Sequence, residues 1–354
     1  MMKKSYSYIP EVKHKFMCRV PLQGIRQALM VDGVLQQSGE RLQHARGGLI
    51  LQGVEQNNPL GAKWIVPPHT IVETPIQLIS VRTPEHREAL SFTNEWIVQE
   101  GAEAKLLVCD HTISFDPFAT TQQTHIQVGA GARFELIVMQ NEHNESSHRS
   151  DFQATSEKDS FFRCTFVSLH GGQLENHIEM HLNHAGATCE ANGLFLADGT
   201  QRIDFYVQAL HNAPQCVSNQ LFKGILDNRA RALFEGMIHV SHGAQKTQAY
   251  QANHNLLLSN KSKIFTRPRL EIYDDDVKCS HGATVGRLDE SALFYLRSRG
   301  IDFKEAHIML QLAFLHNVLA QISITPLRDR LLDLVERRLR GAFSQCGDCS
   351  MHCC

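Results

Sequence analysis

Cys279, Ser280 and His281 set a thiol and an imidazole two positions apart. On an extended strand alternate residues point the same way, so the two groups would project together, a soft donor pair suited to a transition metal or an iron–sulfur intermediate. Just upstream, Asp274, Asp275 and Asp276 could hold a negative potential that draws Fe²⁺. The same residues have a plainer reading, with Cys279 a small buried residue and His281 a turn residue before Gly282, since cysteine is commonly buried without any function.

Two other groups carry ligand-type side chains. His177, Glu179 and His181 form one row of a strand where a borderline or hard divalent ion could sit, although polar residues are also what the wet face of a sheet carries by default. The run Cys346-Gly-Asp-Cys349-Ser-Met-His352-Cys353-Cys354 has Cys-x2-Cys spacing with further donors. By spacing it is half of a zinc or iron–sulfur site, or else a frayed end that binds metal adventitiously. The sequence has no Gly-x4-Gly-Lys-Ser/Thr phosphate loop, no Gly-x-Gly-x-x-Gly after a strand, no His-Glu-x-x-His and no Gly-x-Ser-x-Gly elbow, so the common ATPase, dehydrogenase, metalloprotease and α/β-hydrolase signatures are missing.

Bulk properties narrow the classes further. Among 354 residues, 35 basic side chains face 37 acidic ones for a net charge of −2, which is not the footprint of a nucleic-acid binder. No stretch reaches the roughly 18 apolar residues that span a bilayer, and the opening MMKKSYSYIPEVKHK lacks the apolar segment of a signal peptide. A cytoplasmic chain is expected, with no membrane partner. In a reducing compartment its 10 cysteines read as buried small residues, reactive thiols or metal ligands rather than disulfides.

The elements that must position these residues are mostly strands. Asp32–Gly33 between ALMV and VLQQ is a two-residue hairpin signal, and the β region begins near Ala28. From there to about residue 285 period-two alternation dominates, as in His177 to Leu182. Short turns recur at Gly101, Gly129-Ala130-Gly131, Gly186, Asp198-Gly199, Asp227-Asn228, Gly243 and Ser259-Asn260, at intervals near roughly 15 or 30 residues. That spacing fits the sides of a parallel β-helix better than a sandwich, whose hairpins would recur every 8–12 residues or so.

After Gly286 the period becomes helical. Asp289 is placed to cap ESALFYLRSR and Gly300 to stop it. A helix over 304–322 follows, with Ile308, Leu312, Leu315, Leu319 and Ile322 in one apolar stripe. Pro326 opens a third over 326–340, with Leu327, Leu331, Leu334 and Val335 on one side. The expected organisation is an N-terminal segment over 1–27, a β-helix core over 28–285, a C-terminal helical domain over 286–343 and a Cys-rich tail over 344–354.

The segment from Pro268 to Ile301, PRLEIYDDDVKCSHGATVGRLDESALFYLRSRGI, resembles the junction between β-helix and C-terminal helices in the SufB/SufD family of iron–sulfur cluster assembly scaffolds. The Cys-Ser-His-Gly stretch at 279–282 places it nearer SufD, because SufB proteins generally replace that stretch. The likeness runs more loosely back to Lys63, through NQLFKGILDNRARALFEGMIHV, and forward through the helices. It implies a mainly β protein, a right-handed parallel β-helix, that is not itself an enzyme. It implies pairing with a SufB-like subunit through the end of the β-helix, or self-pairing of two copies when that partner is missing. It also implies docking of a SufC-like ATPase on the C-terminal helices. The cofactor implied is iron or an iron–sulfur cluster held transiently at the partner interface, with His281 matching the family's cluster-site histidine and Cys279 a cysteine at the same junction. The Cys-rich tail and the short N-terminal segment depart from the family. Two other classes stand against this reading: a free-standing metal carrier using the tail, and a β-helix enzyme acting on polysaccharides, which would need an evident carboxylate cluster on neighbouring strands.

Overall fold

The structure is a computed structural model that describes residues 26–36, 50–53, 60–83, 86, 88–112 and 117–341. Its strands, in chain order, are β1 (Arg26–Val31), β2 (Val34–Gln36), β3 (Ile50–Gly53), β4 (Ala62–Val66), β5 (Ile76–Arg82), β6 (Leu90–Val98), β7 (Glu103–Thr112), β8 (Ala119–Val128) and β9 (Arg133–Asn141). They continue as β10 (Ser147–Ser156), β11 (Phe161–His170), β12 (Gln173–Leu182), β13 (Thr188–Ala197), β14 (Arg202–His211), β15 (Val217–Leu226), β16 (Arg231–Val240), β17 (Gln248–Leu257), β18 (Lys263–Ile272) and β19 (Lys278–Gly286).

From β4 onward the chain alternates between two sheets. One is ordered β2-β1-β5-β7-β9-β11-β13-β15-β17-β19 and the other β3-β4-β6-β8-β10-β12-β14-β16-β18. The coils stack in parallel register. Strands of the first sheet begin at Arg133, Phe161, Thr188, Val217, Gln248 and Lys278, so each coil takes about 30 residues, as the turn spacing predicts. The Asp32–Gly33 hairpin forms between β1 and β2, with both turn residues at positive φ (46° and 77°).

Inside the solenoid, side chains from the two walls interdigitate. Trp64, Trp96, Phe134, Phe162, Phe166, Phe195, Phe205, Phe222 and Phe234 are buried there, with ring centroids of successive contacts 5.1–6.3 Å apart. Each such ring contributes roughly 2–3 kcal/mol by leaving water. Register makes the fit: Gly193 pairs with Phe222 and Phe195 with Gly224. A Cβ at either glycine would lie 2.1–2.2 Å from the facing ring, so each small residue is the seat of a large one on the next coil. One ionic group is also sealed in the N-terminal coils, where Asp32, Arg82, Asp110, Glu142 and His148 are all buried and His148 Nδ1 lies 2.7 Å from Glu142 Oε1.

The two sheets differ on their outer faces. The second sheet alternates buried and exposed residues and meets water. The first sheet carries near-continuous apolar runs such as Leu136–Met139 and Leu194–Ala197 because its outer face is covered too. The cover is α2 (Phe303–Leu319) and α3 (Thr325–Leu339), which follow α1 (Glu290–Ser298). Ile308, Leu315, Leu319, Ile322, Leu327, Leu331 and Val335 are buried, all but Ile308 against Ile137, Val167, Leu194 and Ile225 and their neighbours. Polar bonds fix the docking: Arg163 donates to the Gln321 carbonyl at 2.9 Å, Lys223 to the Phe314 carbonyl at 2.7 Å, Arg338 to Asp198 at 2.8 Å, and Glu135 accepts from the Ser323 N–H at 2.9 Å.

The helices therefore lie along a flank of the solenoid. Among the described residues no strand pairs with the far edge of β18 or β19, each of which closes its sheet with a neighbour on one side only.

Candidate interface at the open end of the solenoid

The last coil is built like the others and lacks only a coil on top of it. Cys279 follows Cys189, Ser218 and Ala249 in one inward column, and His281 follows Ala191, Gln220 and Gln251 in the next. The sequence expectation that Cys279 and His281 project from one face therefore matches the geometry. Their environments differ. Cys279 is half-buried against the cluster of Ile238, Val240 and Ala249, and that burial pushes its thiol pKa up, so the free chain holds it protonated. His281 is exposed.

The acidic run has a structural task. Asp274, in the turn between β18 and β19, accepts the Gly243 and Asp276 N–H groups at 3.1 Å each, and the Asp276 carbonyl accepts the Lys246 N–H. Among the described residues no three His, Cys, Asp or Glu side chains converge on a point that could hold a metal ion. Cys279 and His281 belong to no such group.

The other groups singled out by spacing fall elsewhere. His177, Glu179 and His181 line the wet outer face of β12, where His177 stacks on Tyr206 at 4.4 Å and bonds Glu175 at 2.7 Å, while His181 bonds Glu179. They are surface ladder residues. Cys346, Cys349, His352, Cys353 and Cys354 lie outside the described residues, as does nearly all of the 1–27 segment. Of the remaining cysteines, Cys109, Cys164, Cys189 and Cys216 are buried, and burial raises the pKa of Cys164, Cys189 and Cys216. The apolar stripes of α2 and α3 are spent on the first sheet, so only the outward faces of these helices remain for a partner.

Sequence reasoning missed a concentration of apolar surface around this end. Among the described residues the exposed large hydrophobic side chains are Tyr250, Phe265, Ile272, Tyr273 and Val285 in the last two coils, Phe294 and Tyr295 on α1, Phe303 and Met309 on α2, and Ile71 ahead of β5. Phe294 is 74% and Phe265 60% exposed. The signal lay in α1, whose FY pair (Phe294, Tyr295) carries no buried residue around it. The strand edges differ as well. β18 carries Pro268, which has no N–H to offer, whereas β19 (Lys278–Gly286) has no proline and, after Lys278, no Asp, Glu, Lys or Arg.

Comparison with known proteins matches residues 84–314 to the SufBD core domain of the SUF system for FeS cluster assembly. The chain is 34% identical over 244 residues to the iron–sulfur cluster assembly protein SufD of Escherichia coli (strain K12), which covers 68% of this chain and 57% of that protein. It is 36% identical over 223 residues to an iron–sulfur cluster assembly SufBD family protein of Synechocystis, covering 63% and 49%, and 26% identical over 283 residues to SufD of Bacillus subtilis, covering 79% and 64%. The chain therefore spans about half to two thirds of the length of these relatives.

Proposed function

The chain belongs to the SufB/SufD family of SUF-system iron–sulfur cluster assembly proteins, and from that premise we propose that it is a SufD-like scaffold subunit whose open solenoid end completes a cluster-assembly site with a SufB-like partner. The observation that carries this reading is the coincidence, at one end of the molecule, of an unpaired β19 edge, exposed apolar side chains and the inward pair His281 and Cys279.

A partner strand laid along β19 would satisfy its free backbone groups, and the surrounding aromatic residues would lose water at roughly 25 cal/mol per Å². Closing the end converts His281 from a solvated side chain into one facing a sealed, low-dielectric space. There a neutral imidazole is a borderline ligand for iron. Cys279, held protonated by its apolar seat, serves first as packing beneath that position and becomes a ligand only if the assembled site stabilises its thiolate. Iron or a nascent cluster is the cargo here. The chain contributes no catalytic step of its own. ATP hydrolysis belongs to a SufC-like partner on the outward faces of α2 and α3, and the bonds from Arg163, Lys223 and Arg338 would carry that partner's movement into the first sheet.

The test is His281→Ala in the chain co-expressed with its SufB-like and SufC-like partners. The complex is expected to assemble and co-purify normally while cluster reconstitution and maturation of cellular iron–sulfur proteins fall by tenfold or more. Normal maturation would remove His281 from the site, and a tagged chain that emerged alone from a mild pull-down would remove the pairing.

A further inference from the structure

We infer that Gln251 is the positioning residue for His281: its buried amide carbonyl accepts one ring N–H of the imidazole, so that the other ring nitrogen is presented to metal. The inference rests on the role proposed for His281 and adds to it a fixed tautomer and orientation.

Gln220, Gln251 and His281 occupy one inward column on β15, β17 and β19 in direct register. Adjacent strands are about 4.8 Å apart, the spacing at which stacked side-chain amides hydrogen-bond into a ladder. The ladder is begun: Gln251 Nε2 donates to Gln220 Oε1 at 2.5 Å. An amide that donates toward one neighbour turns its carbonyl toward the other, and the other neighbour of Gln251 is His281. Gln251 Oε1 is buried and has no hydrogen-bond partner among the described residues. An acceptor left so costs roughly 1–3 kcal/mol until a donor reaches it.

The opposite wall shows that the amide is meant to be where it is. Gly236 lies in the interior of β16, a place where glycine weakens a strand. A Cβ there would lie 2.3–2.6 Å from Nε2, Cδ and Oε1 of Gln251, so no larger residue fits while the amide holds this position. Two walls thus fix the Gln251 amide, and the residue in register with it toward the open end carries an imidazole that can donate to it. Metal-bound histidines generally give their second N–H to such an acceptor, and losing it costs about 10–100-fold in metal affinity.

The test has two arms. In the full chain with ¹⁵N-labelled histidine at pH 8, long-range ¹H–¹⁵N spectra read the His281 tautomer without metal or activity. A single tautomer in the unaltered protein, turning to a mixture in Gln251→Met and returning in Gln251→Glu, is expected; a mixture in the unaltered protein overturns the inference with no variant needed. In the complex with the SufB-like partner, Co²⁺ alone is titrated by its visible absorption. Gln251→Met should weaken binding about 10–100-fold and alter the band, Gln251→Glu should restore both to within a few-fold, and Gln251→Met added to His281→Ala should cost nothing more. Unchanged Co²⁺ affinity in Gln251→Met beside a large loss in His281→Ala sinks Gln251 and spares the function. Unchanged affinity in His281→Ala sinks the function first.

Discussion

The middle coils and the last coil share one geometry and differ only in what lies above them. The inward column that holds Phe134, Phe162 and Cys189 is the column that ends in Ser218, Ala249 and Cys279. Its neighbour passes from Leu136 and Cys164 to Gln220, Gln251 and His281. In the middle, a coil on each side seals the lumen and apolar side chains are stable there. At the end, the same inward direction faces solvent or a partner, and polar donors replace rings. Burial in this fold is decided by stacking order, so a residue's chemistry can be read from its distance to the open end.

The strongest way to break that comparison is to empty a middle position and an end position of similar kind. Phe205 is fully buried among Phe166, Phe195 and Phe222. Phe205→Ala should lower the stability of the isolated chain by about 3–5 kcal/mol in urea denaturation, through lost transfer energy and a cavity. Val285, inward on β19 but 45% exposed, should cost no more than about 0.5 kcal/mol as Val285→Ala in the same assay. Equal losses at the two positions would mean that the end is as closed as the middle.

A second contrast concerns charge. Asp110 is sealed in the N-terminal coils beside Ser80, and it shares that space with Arg82, His111, Glu142 and His148. Burial pushes its pKa up to about 6, against the pull of His148. Burial would lower His148, but Glu142 and Asp110 lift it to about 9. Both folded-state values stand above the unfolded ones, so both groups favour the fold at low pH. The Asp110 contribution is full below 3.8 and lost as pH rises through about 6. The His148 contribution is full below 6.5 and lost as pH rises through about 9. Asp110→Asn should therefore stabilise the chain by roughly 2 kcal/mol at pH 7.5 and leave it unchanged at pH 4, as read from denaturation midpoints across pH. A gain equal at both pH values would show that the carboxyl titrates alike in the folded and the unfolded chain.

Much of this was legible in the residues, and the illegible part has a physical cause. The coil period follows from turn chemistry at Gly101, Gly131, Gly199 and Gly243, each of which takes positive φ. The Cys279–His281 pair follows from the two-residue repeat of a strand. The ends of α1 follow from Asp289 and Gly300, the latter at φ 85° with the Ile301 N–H on the Leu296 carbonyl. The apolar stripe of α2 and α3 was visible, but not that it packs on the flank; the clue was in the strands, where Leu136–Met139 and Leu194–Ala197 do not alternate and so must be buried on both faces. The Gln220–Gln251–His281 ladder could not be read at all, because it depends on pairing residues about 30 apart in register, which local patterns do not contain.

The smallest effect tests whether the open region is held locally. Helix α1 has no buried residue, spans nine positions, and displays Phe294 and Tyr295 to solvent. A helix that short is marginal by propensity alone. Its start rests on Asp289, whose Oδ1 accepts the Ser291 N–H at 2.8 Å and the Ala292 N–H at 3.3 Å. Asp289→Ala should weaken this helix by about 1 kcal/mol, seen as faster amide exchange over 290–298. The urea midpoint of the whole chain should stay fixed, because no core residue depends on α1. If the partner folds its own surface against Phe294 and Tyr295, the exchange rate should recover in the complex and the association should weaken about fivefold, the share of binding energy spent on re-forming the cap. A fall in global stability of the same size would instead place α1 within the cooperative unit of the middle coils, and the boundary between the closed and open regions would move past Asp289.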